Sequence, residues 1–120
     1  MIYIKPEILD KVNSWLTPTF DEETQNQVKE LIANNPKELE ESFYKDLEFG
    51  TGGMRGVMGL GTNRINKYTL GKNTQGLSNY LHQSFEGEDI KVAIAYDCRH
   101  NSNTFAKVVA DVFSANNIEV

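Results

Sequence analysis

The amino-acid sequence predicts an α/β fold, in which a helical N-terminal extension leads into the first part of a layered α/β domain. Apolar residues recur at helical spacing over the first part of the chain. Glycines concentrate in the middle, and a strand–helix–strand pattern closes the sequence. We therefore divide the chain into residues 1–48, the helical extension, and residues 49–120, the incomplete N-terminal part of the α/β domain.

Three helices are predicted in the extension. The first lies between Pro6 and Pro18, because one face of this segment is apolar. Its apolar residues are Ile8, Leu9, Val12, Trp15 and Leu16. The second begins near residues 19–21. The third follows Asn35 and Pro36, since asparagine is a favoured N-cap and proline is a favoured first helical residue.

The α/β part is predicted to contain two short extended segments, one long helix and a βαβ unit. The extended segments are residues 57–58 and 64–65, and the long helix covers residues 69–87. Residues 92–96 form a continuous apolar run, which is typical of a strand covered on both faces. A helix with an apolar face follows this run, and residues 118–120 begin the next strand.

The last predicted strand is short, because only residues 118–120 belong to it, whereas a strand usually has about five residues. We therefore expect the sequence to be the N-terminal piece of a longer protein. The alternative is a chain that ends in a short edge strand. A sheet cut at this point exposes a strand edge, which predicts self-association of the piece.

A cluster of glycines is the first candidate site. Six of the nine glycines lie between Gly50 and Gly61, and Arg55 stands among them. Glycine lets backbone N–H groups approach a ligand closely, and no Asp or Glu occurs from Gly50 to Phe85 to oppose the arginine. These features together favour an anionic ligand, most simply a phosphate. The candidate phosphate-binding residues are Thr51, Gly52, Gly53 and Arg55.

The glycine run has a second interpretation, a mobile linker between the two parts of the chain. Its interspersed apolar residues argue against a solvated tether. The run also differs from the common nucleotide-binding patterns. No Gly-Lys-Ser/Thr follows it, and Arg55 and Arg64 stand where GxGxxG has its third glycine.

The polar loop after the predicted strand is the second candidate site. Asp97 and Arg99 either pair with each other, hold a neighbouring loop or contact a ligand, and pairing or support is favoured because neither has a catalytic partner in the chain. Ser102 or Asn101 is expected to cap the following helix, and His100 is expected to be a polar loop residue. We therefore assign a supporting role, rather than a catalytic one, to Asp97, Arg99, His100 and Ser102. The sequence offers no nucleophile–base pair, carboxylate pair or metal cluster, so we predict no catalytic residue and no metal ligand in this chain.

The charge of the chain is unevenly distributed. Residues 1–49 have a net charge of −6, residues 50–120 have +1, and all three arginines lie in the second part. These dispersed cations do not form the basic stripe that nucleic-acid binding requires. A single cysteine excludes an internal disulfide, and no apolar run has the length of a membrane span or a signal peptide. We expect a cytoplasmic protein without nucleic-acid or membrane partners.

Two motifs resemble those of the α-D-phosphohexomutases, the family of phosphoglucomutases and phosphomannomutases. Residues 49–56, Phe-Gly-Thr-Gly-Gly-Met-Arg-Gly, are similar to the family motif Phe-Gly-Thr-(Ser/Ala)-Gly-x-Arg-Gly, with Gly52 in place of serine or alanine. Residues 96–102, Tyr-Asp-Cys-Arg-His-Asn-Ser, are similar to its Asp-x-Arg-x-x-Ser loop. Residues 61–66 and the helical extension resemble the branch with a long N terminus, which includes phosphoglucomutase and phosphopentomutase activities.

The resemblance implies a four-domain enzyme whose first domain is a three-layer α/β/α structure with a mixed sheet, truncated in this chain after its βαβ start. In the family, a phosphoserine gives its phosphoryl group to a sugar monophosphate. The resulting bisphosphate reorients and returns the other phosphoryl group to the serine. The resemblance also implies Mg²⁺ and a hexose 1,6-bisphosphate as cofactors of the full-length protein. None is expected for the piece.

The resemblance also assigns roles to residues of this chain. Arg55 matches the arginine that meets the bisphosphate near the phosphoserine, and Asp97 and Arg99 match a loop that borders this serine. Three parts of the family's active site do not occur in residues 1–120. They are the loop that contains the phosphoserine, the loop that binds Mg²⁺ and the distal domain that binds the second phosphate. The piece alone is therefore expected to be inactive, with sugar phosphates and the remaining domains as the partners of the whole protein.

Two functions of other classes stay open at this point. The first is a free-standing phospho-ligand binding module that performs no chemistry. The second is an interaction domain whose helical extension docks a partner, in which case Arg55→Ala leaves the function unchanged.

Overall fold

The computed structural model of the chain describes residues 4–50 and 53–120. The chain forms two compact units, of which the first ends at Asn66 and the second begins at Lys67. No helix among the described residues combines the length and the apolar character needed to cross a membrane.

Three helices build most of the first unit, as the sequence predicts. They are α1 (Pro6–Ser14), α2 (Glu22–Asn34) and α3 (Pro36–Phe43). The side chain of Asp21 accepts a hydrogen bond from the backbone N–H of Thr24 at 2.9 Å, which caps α2. Asn35 caps α3 in the same way through the N–H of Glu38 at 3.3 Å.

The core of the first unit lies between these helices. Its buried apolar residues are Ile8, Val12, Trp15, Val28, Leu39 and Phe43. Trp15 stacks on Phe20 with ring centroids 4.6 Å apart and meets Phe43 edge-on at 5.4 Å. Such aromatic pairs stabilise beyond their buried area, so the C-terminal residue of α3 is fixed firmly in the core.

The rest of the first unit contains a very short hairpin and a return segment. Strand β1 (Phe49–Gly50) pairs antiparallel with β2 (Gly53–Met54). The chain then runs to Met58, which forms a single parallel bridge with Ile65. The two extended segments predicted at residues 57–58 and 64–65 therefore meet each other, although only at this bridge.

The second unit is a pair of helices with a small apolar core. They are α4 (Lys67–Ser84) and α5 (Ser102–Ala115). Ile90, Phe113 and Ile118 form the buried cluster, and four partly buried residues pack against it: Leu81, Val92, Ile94 and Val109. The predicted helix over residues 69–87 is confirmed as an element, with a slightly earlier start and end.

The prediction of an α/β fold with a mixed sheet is wrong for the residues that the structure describes. Residues 92–96 form no strand, and the predicted βαβ unit is reduced to one isolated parallel bridge between Lys91 and Glu119. Only two backbone hydrogen bonds support it, from Val92 N to Glu119 O at 2.8 Å and from Glu119 N to Ile90 O at 3.0 Å. Beyond the two-residue pair β1–β2, helices dominate the described residues.

The physical reason is the lack of pairing partners for an apolar run. A strand exists through its ladder of hydrogen bonds, and residues 118–120 supply too short a neighbour for residues 92–96. Val92 and Ile94 still pack on the Phe113 cluster, while Ala93 and Tyr96 are exposed. Self-association through a sheet edge loses its structural basis among the described residues, since this sheet is not formed there.

Candidate phosphate-binding site

Arg55 directly follows β2 and extends into solvent. Its side chain is exposed, and the structure shows no hydrogen bond or ion pair between it and another described residue. Gly53 lies two residues earlier, where it pairs with Gly50 in the hairpin. Thr51 and Gly52, the other two predicted phosphate-binding residues, lie outside the described residues. An exposed guanidinium without a carboxylate partner is available to an anion.

The loop that presents Arg55 is held at both of its ends. We call the described residues of this segment, 47–50 and 53–58, the Arg55 loop. At its start, the backbone N–H of Leu47 donates to the carbonyl oxygen of Thr62 at 2.8 Å. At its end, Ile65 N–H donates to the carbonyl oxygen of Val57 at 2.8 Å. The two ends of the loop therefore meet on one short segment of chain.

Gly56 shows why a residue without a side chain stands in this loop. A Cβ at Gly56 would lie 2.8 Å from Cδ1 of Leu47 and 3.6 Å from Cγ1 of Ile65. The backbone therefore passes close to both side chains directly after Arg55. Part of the glycine cluster thus serves close packing at the base of the loop, in addition to any contact with a ligand.

Arg64 has a different environment from Arg55. Its side chain is only 14% exposed and lies 3.4 Å from Oε1 of Glu38 in α3. Nη1 of Arg64 also donates to the carbonyl oxygens of Glu41 at 3.3 Å and Asn63 at 3.1 Å. These contacts hold the side chain of Arg64 against the C-terminal part of α3. The role of Arg64 could not be predicted from the sequence, because its partners on α3 are distant along the chain.

The loop before α5, which contains the second group of predicted residues, is organised around Asp97. Oδ1 of Asp97 accepts hydrogen bonds from the backbone N–H of Arg99 at 3.0 Å and from the hydroxyl of Ser102 at 2.7 Å. Oδ2 lies 3.0 Å from Nε of Arg99. Of the roles considered for this pair, the structure thus shows Asp97 and Arg99 in contact with each other. Because both side chains are largely exposed, their ion pair alone adds little stability.

The hydrogen bonds to Asp97 have an electrostatic consequence. The backbone N–H of Arg99, followed by the hydroxyl of Ser102, holds the pKa of Asp97 below its ordinary value of 3.8. Burial opposes this lowering slightly, and the positive charge of Arg99 adds to it. Asp97 is therefore an anion that organises its own loop, rather than a proton donor near neutral pH.

The sequence predicts that Asn101 or Ser102 caps α5. Asn101 occupies the N-cap position with φ 66°, but its side chain makes no capping hydrogen bond. Ser102 is already helical, and its hydroxyl donates to Asp97 instead. A left-handed conformation is tolerated by asparagine better than by most residues, which explains this residue at the turn. His100 and Cys98 are exposed in the same loop.

The described residues offer no ligand set for a metal ion. Within residues 4–50 and 53–120, no group of three His, Cys, Asp or Glu side chains is arranged to hold one. The Mg²⁺ implied by the family resemblance therefore has no binding residues that can be named here.

Comparison with known proteins adds the following findings. The family described as phosphoglucomutase/phosphomannomutase, alpha/beta/alpha domain I matches residues 46–120. A protein of Schizosaccharomyces pombe named "Probable phosphoribomutase" is 36% identical over 110 residues, which cover 90% of this chain and 19% of that protein. A phosphoglucomutase of Staphylococcus epidermidis is 36% identical over 109 residues, with the same shares. A phosphoglucomutase of Staphylococcus aureus is 42% identical over 83 residues, which cover 69% of this chain and 15% of that protein.

The chain is short relative to these proteins, since it spans about a fifth of the length of the first two. No solved structure matches the chain significantly.

Proposed function

This chain belongs to the phosphoglucomutase/phosphomannomutase family, and we propose that it is the N-terminal part of a phosphohexomutase that interconverts sugar 1-phosphates and 6-phosphates. The family match over residues 46–120 supports the reaction class. The chain's small share of each relative supports a longer parent protein. Because the relatives bear both phosphoglucomutase and phosphoribomutase names, the proposal extends to pentose phosphates, for which the exchange is between the 1-phosphate and the 5-phosphate.

The contribution of this chain is to bind a phosphoryl group of the sugar phosphate. The observation that supports it most is the exposed Arg55, without a carboxylate partner among the described residues, on a loop fixed at both ends. Its guanidinium donates two parallel hydrogen bonds to phosphoryl oxygens. Backbone N–H groups of Thr51, Gly52 and Gly53 add further donors.

Arg55 also acts during the transfer step. A serine elsewhere in the parent protein holds a phosphoryl group; its P–O bond breaks as a sugar hydroxyl oxygen forms a new one. The hydroxyl proton leaves to solvent or to a base outside this chain, and the serine oxygen that is released takes up a proton. The bisphosphate then reorients, and its other phosphoryl group returns to the serine. Negative charge spreads over the equatorial oxygens during each transfer, and Arg55 stabilises it.

The remaining assignments of the proposal concern the surroundings of this step. Asp97, Arg99, His100 and Ser102 form a supporting loop. Mg²⁺ and a hexose 1,6-bisphosphate serve the parent enzyme, and the described residues of this chain offer no ligand set for the metal. The parent protein acts in the cytoplasm. Its partners are sugar phosphates and the domains that follow this chain.

An activity assay on the full-length protein tests the proposal. We expect conversion of glucose 1-phosphate to glucose 6-phosphate when glucose 1,6-bisphosphate is present, and no conversion by residues 1–120 alone. Arg55→Ala should lower kcat/KM about a hundredfold, the usual cost of losing a donor to a developing anion. Lys107→Ala is the matched control, because it removes an exposed cation paired with Asp111 in α5.

Three results would contradict the proposal. The first is activity of residues 1–120 alone, and the second is full activity of Arg55→Ala. The third is a full-length protein that binds glucose 1,6-bisphosphate but converts neither the glucose monophosphates nor the ribose monophosphates. This last result would favour the non-catalytic phospho-ligand binding module.

A further inference from the structure

We infer that residues 59–66 position Arg55 for its phosphate contact, and that Arg64 is the principal positioning residue. We call residues 59–66 the anchor segment. The inference rests on the proposed function of Arg55 as a phosphate contact. It adds that Arg64 touches no substrate and acts through the base of the Arg55 loop.

The anchor segment joins the two ends of the Arg55 loop. Thr62 accepts the N–H of Leu47 at 2.8 Å, and Ile65 donates to Val57 at 2.8 Å. The backbone N–H of Gly59 donates a hydrogen bond to the carbonyl oxygen of Ile65 at 3.1 Å. A loop whose ends are bonded to one segment moves with that segment.

The anchor segment is also bonded to the C-terminal end of α3. The last carbonyl groups of a helix lack intrahelical donors. Asn63 supplies its backbone N–H to Ser42 O at 2.9 Å and its Nδ2 to Glu41 O at 3.2 Å. The hydroxyl of Thr62 donates to Lys45 O at 2.8 Å. The segment therefore caps α3, which the core holds through Phe43.

The side chain of Arg64 strengthens this attachment to α3. It bonds to both the Glu41 carbonyl and the Glu38 carboxylate on α3, and it is only 14% exposed. A cation at a helix C-terminus also interacts favourably with the helix dipole. Since Ile65 follows directly, Arg64 fixes the residue that bonds Val57 at the end of the Arg55 loop.

Asn66 and Gly61 stabilise the internal shape of the anchor segment. Nδ2 of Asn66 donates to the carbonyl oxygens of Gly59 and Gly61, both at 2.9 Å. Gly61 has φ 118°, and a Cβ there would lie 2.8 Å from Cβ of Ser42 and still closer to its carbonyl oxygen. Only glycine allows the segment to approach α3 this closely.

A double-mutant cycle in the full-length protein tests the inference. The probe is glucose 1,6-bisphosphate, and its Kd is measured by calorimetry for the parent, Arg55→Ala, Arg64→Ala and the double variant. Loss of a charged hydrogen bond weakens binding about tenfold to a hundredfold, and we expect each single variant to show such a loss. If Arg64 acts through Arg55, the double variant binds no more weakly than Arg55→Ala.

Amide hydrogen exchange supplies a readout that does not depend on the ligand. In Arg64→Ala, the amides of Leu47 and Ile65 should exchange faster, while the amides of α5 stay unchanged. Arg64→Lys should restore part of the protection, because a lysine ammonium reaches one of the two acceptors but lacks the planar fork to hold both. Val28→Ala is the matched control, since it removes a fully buried side chain of the same unit outside the anchor segment.

The outcomes separate this inference from the proposed function. Unchanged exchange at Leu47 and Ile65, additive losses in the cycle, or equal loss of binding in Val28→Ala would overturn the positioning role of Arg64. Unchanged binding by Arg55→Ala would instead overturn the proposed function, and with it the purpose of positioning. Faster exchange, a non-additive cycle and partial rescue by Arg64→Lys would together support the inference.

Discussion

The hydroxyl group of Ser102 donates a 2.7 Å hydrogen bond to Oδ1 of Asp97. It joins the first residue of α5 to the residue that begins the preceding loop. The same oxygen accepts the backbone N–H of Arg99, so one carboxylate organises the loop from within. In this way a loop that would otherwise be free to adopt many conformations enters the helix in a defined geometry.

Ser102→Ala should raise the pKa of Asp97 toward its ordinary value. The hydroxyl is the second-largest cause of the lowering, after the Arg99 N–H, and removing it takes away a donor that favours the charged form. The measurement is a carboxyl-carbon NMR titration of Asp97 in the parent and the variant. Ser14→Ala is the control, because its hydroxyl donates to the Lys11 carbonyl oxygen and to no carboxylate. An unchanged Asp97 titration in Ser102→Ala would refute this assignment.

The order of the Asp97 loop should depend on pH in a defined direction. The folded pKa of Asp97 is lowered, so its stabilising contribution is present above the unfolded value near 3.8 and is lost as the pH falls through the folded pKa. The amide resonances of Arg99 and Ser102 should therefore shift with a midpoint below pH 3.8. A midpoint above that value would contradict the lowered pKa.

Two glycine substitutions should have opposite effects on the free energy of unfolding. Gly61→Ala should destabilise the chain by about 2 kcal/mol or more, because it strains a positive φ and overpacks against Ser42. Gly76→Ala should stabilise it by about 1 kcal/mol, since Gly76 lies inside α4 with nothing within 4 Å of a Cβ. Urea denaturation of both variants measures the difference. Equal effects would show that the close approach at Gly61 is not present in solution.

Neighbouring aromatic residues at the end of α3 should differ strongly in their contribution to stability. Phe43 is fully buried against Trp15, so Phe43→Ala should cost about 3–5 kcal/mol. Tyr44 is 52% exposed, so Tyr44→Ala should change the free energy of unfolding by no more than about 0.5 kcal/mol. Denaturant melts of the two variants provide the measurement. Similar losses would place the core of the first unit elsewhere.

The helices were predictable because their signals are local. Asn35 and Pro36 mark the start of α3 through capping chemistry that involves only adjacent residues. The sheet was not predictable in the same way. The apolar run at residues 92–96 was identified, but strand formation depends on partners elsewhere in the chain, and residues 118–120 provide just one bridge.

The candidate site, too, was predictable only where its signals are local. Arg55 could be selected from the sequence, because glycines flank it and no Asp or Glu occurs between Gly50 and Phe85. The role of Arg64 could not, since its partners Glu38 and Glu41 precede it by more than twenty residues and only the fold brings them together. Sequence periodicity contains no signal for such a contact.

A crystal structure of the full-length protein with bound glucose 1,6-bisphosphate would show directly whether Arg55 holds a phosphoryl group. We expect a guanidinium nitrogen of Arg55 to lie about 3 Å from a phosphoryl oxygen, a distance typical of charge-assisted hydrogen bonds, and the backbone N–H of Gly53 to face the same group. A bound bisphosphate whose two phosphoryl groups are both held by other residues, with Arg55 directed into solvent, would contradict this expectation.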